Sequence, residues 1–438
     1  MEGDTVMRKL AAVLLGVALA VGASAPAWAQ TEEADALEDL RERVARLEDG
    51  QEHLLNAYWR DGLVFDGENH KVRIGGRIHL DFFQTHRVSR NMKAVDSDSW
   101  KPAAGFRDLR LMTKGYVAPE GDLPIEYKLE LMFRAEVESR LWLPFGDVYM
   151  GLPELPHVGR LRVGYFKEPF SLEQLTSAND LTFVERSVAD ALVPARNLGV
   201  AIGDTAEDEM IRWDFGLFRG FERAAKWKAT ARVAASPMYE NEGEQVLHVG
   251  LAGSLRRPDD ETLRFSQWPE SSFAPEVVDT NMTFGRPFGA KRHQLLGAEA
   301  AVVQGPFSAQ AEYMAAFVEE RDAAISDDLI FHGGYVYASY FLTPGDRRQY
   351  SRSTATFGRV RPVNNFGDNG FGAVEVGARL SFLSLTNNEV RGGTVCNTTL
   401  GVNWYLNPVM KVMLNQVFTN HRRLNDSWTT VGRFQVAF

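Results

Sequence analysis

The chain has 438 residues, a formal net charge of −10, nine histidines and one cysteine, Cys396. A single cysteine excludes an intrachain disulfide framework, and no Cys/His cluster has the spacing of a structural zinc site. Residues 60–438 carry only about −4 of the charge and no basic, aromatic-interleaved patch, so nucleic acid is not an expected partner.

The first element is a leader. Residues 10–23 are apolar, follow Arg8 and Lys9, and precede Ala27-Trp28-Ala29. This is the pattern of a cleaved secretory signal peptide over residues 1–29. The apolar run is too short for a helical membrane span, which takes roughly 20 residues. The acidic lead Met1-Glu2-Gly3-Asp4 is unusual there, and Met7 is an alternative start.

Residues 30–59 hold most of the acidity. Leu37, Leu40, Val44, Leu47, Leu54 and Tyr58, with Gln51 as a polar break, recur in steps of three and four. This heptad seam predicts a short coiled coil ended near Asp61-Gly62. About three heptads are marginal for a lone helix, so self-association would stabilise it. Packing of one amphipathic helix on the main domain is the alternative.

Beyond Gly67 the period changes to two. Val72, Ile74, Gly76, Ile78, Leu80 and Phe82 form one face, and Lys71, Arg73, Gly75, Arg77, His79, Asp81 and Phe83 the other. Residues 125–134 and 373–382 alternate in the same way, each with an apolar and a charged face. Tight turns at Gly305-Pro306 and Asn407-Pro408 join strands of about ten residues, whereas connections 86–104, 168–198, 256–292, 343–370 and 419–427 are long and polar. Aromatics stand near strand ends at Tyr116, Trp142, Tyr149, Trp213, Tyr340, Trp404 and Trp428. In the last strand Trp428, Thr430, Gly432, Phe434, Val436 and Phe438 share one face. A terminal aromatic on the lipid-facing row looks like the signal read by barrel-assembly machinery.

Short turns at one end and long loops at the other point to an all-β fold, a transmembrane β-barrel over residues 61–438. An even strand number is expected, and sixteen fits the segments. A barrel of that size keeps an aqueous channel unless something plugs it. A soluble secreted β-sandwich is the competing fold.

The chain resembles the phosphate-selective porins O and P. The likeness rests on Val72-Arg-Ile-Gly-Gly-Arg-Ile-His-Leu-Asp81, on Arg162-Val-Gly-Tyr-Phe-Lys-Glu-Pro-Phe-Ser-Leu-Glu173 continuing through Glu185-Arg-Ser187, on Asn197–Val200 and on Gly334–Thr343. The resemblance implies a homotrimeric, sixteen-stranded outer-membrane porin whose third long loop narrows the lumen. It also implies an arginine ladder, with a lysine helping to bind phosphate. Its expected partners are outer-membrane lipid, further copies of the chain, and small hydrophilic solutes or anions such as phosphate.

The stretch that fits a constriction loop is 168–198. Phe170, Leu175, Phe183 and Leu192 would anchor it on the inner wall, leaving Lys167, Glu185, Arg186 and Arg196 toward the water path. By parity Arg73, Arg77, Arg110, Lys128 and Arg134 also face inward, as do Lys71, Lys114, Arg160 and Arg162. Residues 60–200 hold 19 basic and 20 acidic side chains, so an ion-pair role stands beside a solute-contact role for each base. An enzyme finds no support, since neither Gly-x-Ser-x-Gly nor His-Glu-x-x-His occurs. No catalytic residue, metal or cofactor is expected. A structural envelope protein tethering the outer membrane through its coiled coil is the alternative to a porin.

Overall fold

A computed structural model describes residues 56–118, 123–135, 141–142, 145–156, 158–206, 208–221, 225–282, 285–321, 328–367, 370–387 and 389–438. Two compact units divide the chain, Met1–Ala57 with Phe65–Glu68, and Tyr58–Val64 with Asn69–Phe438. The signal peptide and the coiled coil as far as residue 55 lie outside the described residues. Asn56–Trp59, expected at the end of the helix, is instead a short strand, and Tyr58 and Trp59 are residues that favour extended backbone.

Sixteen strands close the larger unit into a barrel. In chain order they are β1 (His70–Val88), β2 (Ala103–Val117), β3 (Ile125–Met132), β4 (Phe145–Leu155), β5 (Gly159–Lys167), β6 (Arg196–Thr205), β7 (Ile211–Arg219) and β8 (Lys228–Glu240). There follow β9 (Gln245–Arg256), β10 (Phe288–Gln304), β11 (Phe307–Glu320), β12 (Leu329–Phe341), β13 (Ala373–Asn387), β14 (Val390–Tyr405), β15 (Met410–His421) and β16 (Asn425–Ala437). Each pairs antiparallel with the next. The ring closes where β16 pairs with β1, Arg433 opposite Asp81 and Val431 opposite Phe83. Closure leaves no unpaired edge, the condition for a sheet to stand in hydrocarbon.

Period-two alternation sorts the side chains. On β1 Ile74 and Phe82 are exposed outward while Arg77, His79, Asp81 and Phe83 are buried inside. On β15 Val412, Leu414 and Phe418 point out, and Lys411, Met413, Asn415, Val417 and Thr419 point in. The outer face is an apolar belt, as a lipid-facing wall requires.

Several boundaries differ from the sequence expectation. The strand expected over 125–134 stops at Met132, and Arg134–Ala135 pairs separately with Leu141–Trp142. The long connection expected at 419–427 shrinks to 422–424, because β15 and β16 stay paired out to His421 and Asn425. Tyr149, expected at the membrane interface, points inward, and its hydroxyl accepts a hydrogen bond from Arg160 Nη2 at 3.1 Å. Connection 342–372 breaks the pattern of short turns at one end. It leaves from the turn end and folds back against inward side chains of the wall. Arg232 Nη2 donates to Ala355 O at 2.9 Å, and His248 Nδ1 lies 2.6 Å from the Tyr350 hydroxyl.

Loops 168–195 and 257–287 lie on the inner wall too. Ser381 Oγ and Thr399 Oγ1 both donate to the Glu270 carboxylate at 2.5 Å, and Val184 N donates to Asn415 Oδ1 at 2.7 Å. Inward residues of β8–β16 such as Arg232, Glu299, Glu312, Arg379, Asn397 and Asn415 are consequently buried. Arg110, Lys128, Arg160, Arg162 and Arg196, from β2 to β6, keep side-chain exposures between 13% and 31%. The lumen is dry on one side and wet on the other.

The outward row gives a direct check. Leu414→Arg, placed mid-strand on the lipid face, is expected to destabilise the barrel by about 2–4 kcal/mol, whereas Leu414→Val changes little. Urea unfolding from lipid vesicles measures both, and equal midpoints would contradict the assigned faces.

Candidate functional site

Loop 168–195 is held at its base and along its length. Glu168 N donates to Ala195 O at 3.2 Å, bringing the two ends together. The fully buried Glu168 carboxylate accepts from Asn197 Nδ2 at 2.7 Å, Thr230 Oγ1 at 2.5 Å and Arg256 Nη1 at 2.7 Å. Ser171, with φ of 67°, turns the chain into a single helical turn, Leu172–Leu175. A helix start leaves backbone N–H groups unpaired. Here the Glu312 carboxylate of β11 accepts from Leu172 N at 3.0 Å and Glu173 N at 2.6 Å, and Ser171 Oγ accepts from Gln174 N at 3.1 Å.

The wall then grips the rest of the loop through its carbonyls. Asn403 Nδ2 donates to Thr182 O at 2.7 Å, Arg433 Nη1 to Val184 O at 2.7 Å and Lys411 Nζ to Leu181 O at 3.0 Å. Arg379 of β13 reaches Glu173 Oε1 at 3.2 Å and Glu270 Oε2 at 2.6 Å, and stacks 4.5 Å over the Phe183 ring. Phe170, Phe183 and Leu192 are buried against this wall. Gly297 makes room for Phe170, since a Cβ there would lie 2.9 Å from its ring.

The other face of the loop meets the wet wall and encloses a cavity of ≈ 240 Å³. Seven cationic side chains line it: Arg77, Arg110, Lys128, Arg162, Lys167, Arg186 and Arg196. Only two carboxylates do so, Glu130 and Asp147. Asp147 takes Arg196 Nε at 2.6 Å on one oxygen and Lys128 Nζ at 2.6 Å on the other. Glu130 takes Arg110 Nη1 at 3.2 Å, with Lys128 at 3.7 Å and Arg196 at 3.8 Å. Asp108, just outside the lining, holds Arg77 at 2.7 Å and Arg110 at 2.5 Å. Arg162 has Asp214 only at 3.7 Å and lies 4.7 Å over the Phe166 ring.

Lys167 and Arg186 are held differently. Arg186 donates to the carbonyls of Glu173 at 3.2 Å, Gln174 at 3.3 Å and Thr176 at 3.3 Å, with Asp190 only at 4.0 Å. Lys167 Nζ donates to Gln174 O and, at 3.4 Å, to Thr176 O. Carbonyl oxygens orient these two side chains. Guanidinium and ammonium donors converging in a narrow, partly dehydrated space match an oxyanion.

Of the residues singled out in the sequence, Arg77, Arg110, Lys128, Lys167, Arg186 and Arg196 come together here. Arg73 does not line the cavity; it sits opposite Lys114 on the β1–β2 ladder, toward the turn end. Glu185 faces away from the cavity, because Arg107 takes both its oxygens at 2.7 and 3.2 Å and Arg433 adds a contact at 3.2 Å. Leu175 lines the cavity instead of anchoring the loop. The side chain of Arg134 lies outside the described residues. Asp147 escaped the sequence reading, although Asp147 and Tyr149 alternating with Val148 and Met150 carried the parity signal. Arg107 was hidden by a β-bulge: the register shifts between His79 and Leu80, so Arg107 and Asp108 both turn inward.

Arg379 joins two loops to the wall, and its loss takes the ion-pair partner from the buried Glu173 and Glu270 carboxylates. Arg379→Ala is expected to cost about 3–5 kcal/mol and to give larger, noisier single-channel currents as the loop loosens. Urea unfolding together with planar-bilayer recording tests both, and quiet channels of unchanged size would contradict the anchoring role.

Residues 72–437 match the family described as phosphate-selective porin O and P. Porin O of Pseudomonas aeruginosa is 29% identical over 316 residues, covering 64% of this chain and 70% of that protein. Among solved structures, OmpT of Vibrio cholerae aligns over 86% of this chain and 99% of its own at 10% identity, with a TM-score of 0.53. An anion-selective porin from Comamonas acidovorans aligns over 84% and 100% at 12% identity, with a TM-score of 0.52. At such identities these two likenesses concern the fold.

Proposed function

The chain belongs to the phosphate-selective porin O and P family and is a channel-forming protein of the bacterial outer membrane; from that premise we propose that it prefers small oxyanions. The observation that carries this reading is the cavity in which seven cations face two carboxylates. Loop 168–195 acts in this reading as the constriction, pressing the water path against β1–β6. Charged rings set ion preference in pores, and low-dielectric walls focus their field.

Lys167 and Arg186 are the residues proposed to meet the ion. An arriving oxyanion would take the donors that the loop carbonyls now hold, exchanging a dipole for a charge. Arg77, Arg110, Arg162 and Arg196 would supply further N–H groups on the wall side. Phosphate fits this geometry because its oxygens accept from several guanidinium forks at once. The reaction is passage, and no catalytic group is assigned.

We further infer a homotrimer, with the heptads of residues 37–54 as one source of self-association and residues 1–29 as a cleaved leader. A trimer form is described for OmpT of Vibrio cholerae. Native mass spectrometry of the purified protein reads both the copy number and the mature mass.

Reversal potential in a salt gradient tests selectivity. The wild-type channel is expected to favour chloride over potassium, and inorganic phosphate should reduce the chloride current. The pair Lys167→Ala with Arg186→Ala should lower the anion-to-cation permeability ratio several-fold, while Glu130→Gln with Asp147→Asn should raise it. Cation selectivity in the wild type, or a ratio indifferent to both pairs, would overturn the proposal.

A further inference from the structure

The outer wall carries a second basic feature, remote from the water path. At the loop end of β7–β10 a groove of ≈ 360 Å³ opens on the lipid-facing side. Its floor is apolar: Leu217, Trp227, Ala229 and Leu255, with Trp227 and Leu255 about 60% exposed. Leu217 lies opposite Ala229 and Leu255 opposite Gln294, so neighbouring strands build it together. Arg257 and Arg292 stand over this floor. The Arg219 guanidinium lies 5.8 Å from the Trp227 ring centroid.

The charges do not cancel. Glu319 is the acidic neighbour, accepting from Arg292 Nε and lying 3.7 Å from Lys291. Lys228 and Arg256 also border the groove, but they are committed inward to Asp259 at 2.9 Å and Glu168 at 2.7 Å. Among the described residues Arg257 has no carboxylate partner. Among the described residues, Arg257, Lys291 and Arg292 thus stand with one paired carboxylate, Glu319, at the margin of the apolar belt.

We propose that this groove docks a phosphate-bearing, acylated lipid of the outer leaflet. The loop end of an outer-membrane barrel is the extracellular one, so the facing lipid is that of the outer leaflet. An acyl chain would cover Leu217, Ala229 and Leu255, which lie on the hydrocarbon side. Trp227 would sit at the headgroup level, where an amphipathic ring is favoured. Arginines at that level extend toward lipid phosphates, which their planar donors bind in bidentate fashion. A water-soluble anion would have no use for the apolar floor, and charge complementarity selects an anionic lipid over a zwitterionic one.

The test uses the full-length porin purified in a mild detergent and titrated with bisphosphorylated lipid A under native mass spectrometry. Wild-type protein is expected to retain the lipid, and the Arg257→Ala, Arg292→Ala double variant to bind it about tenfold or more weakly. Phosphate-free lipid A should bind wild type as weakly as intact lipid binds the variant. Single-channel conductance, which depends on the separate lumen, should be the same in both proteins and certifies the variant's fold. Equal binding by variant and wild type, or equal binding of phosphorylated and phosphate-free lipid, would overturn the proposal.

Discussion

Taking a charged side chain out of water costs several kcal/mol unless a partner replaces the solvent, and this constraint divides the lumen in two. Where loops 168–195, 257–287 and 342–372 pack on the wall, buried arginines have been given carboxylate or carbonyl partners. Arg433 grips both oxygens of Asp81 at 2.7 Å, Arg232 meets Glu299 at 2.5 Å, and Arg379 bridges Glu173 and Glu270. Where no loop packs, the same requirement is relaxed by water. Cations can there outnumber carboxylates without destabilising the fold.

The position of the basic cavity follows from that division. Loop 168–195 is held because its helix start, carbonyls and aromatic side chains all bond to or pack on inward residues of β10–β16. Its free face can therefore present Lys167 and Arg186 at a fixed distance from Arg77, Arg110, Arg162 and Arg196. Preorganised donors lose little freedom when an ion arrives. Loop 342–372 supports the arrangement from the opposite end, since Arg348 Nη2 donates to Asp180 O of loop 168–195 and Nη1 lies 3.5 Å from the Tyr405 hydroxyl.

Much of this was legible in the residues. The alternation of Val72 to Phe83 placed Arg77, His79 and Asp81 on the inner face, and the apolar content of 168–198 required a packing surface that only the inner wall could provide. What could not be read were contacts across the lumen. Nothing local to Glu185 points to Arg107 on β2 and Arg433 on β16, which together pull it out of the water path. Nor does parity survive a bulge, which is why Arg107 and Asp108 share a face. Loop 342–372 was legible as long but not as belonging to the turn end, because assigning an end needs the complete strand count between it and loop 168–195.

Residues 60–200 hold 19 bases and 20 acids, a balance in which no cation-lined passage is visible. The structure shows why composition misleads: the acids are distributed by burial, not evenly. Glu168, Glu173 and Glu185 are consumed in holding the loop, and Asp81 in pairing Arg433, so few remain at the cavity. The two that do, Glu130 and Asp147, each serve more than one base. A passage lined by bare cations would hold an oxyanion too tightly to release it, and conduction requires a site that is favourable to enter yet weak enough to leave. In the proposed reading, carboxylates that share out their charge over Arg110, Lys128 and Arg196 would lower the depth of the well without removing the donors that would make it selective.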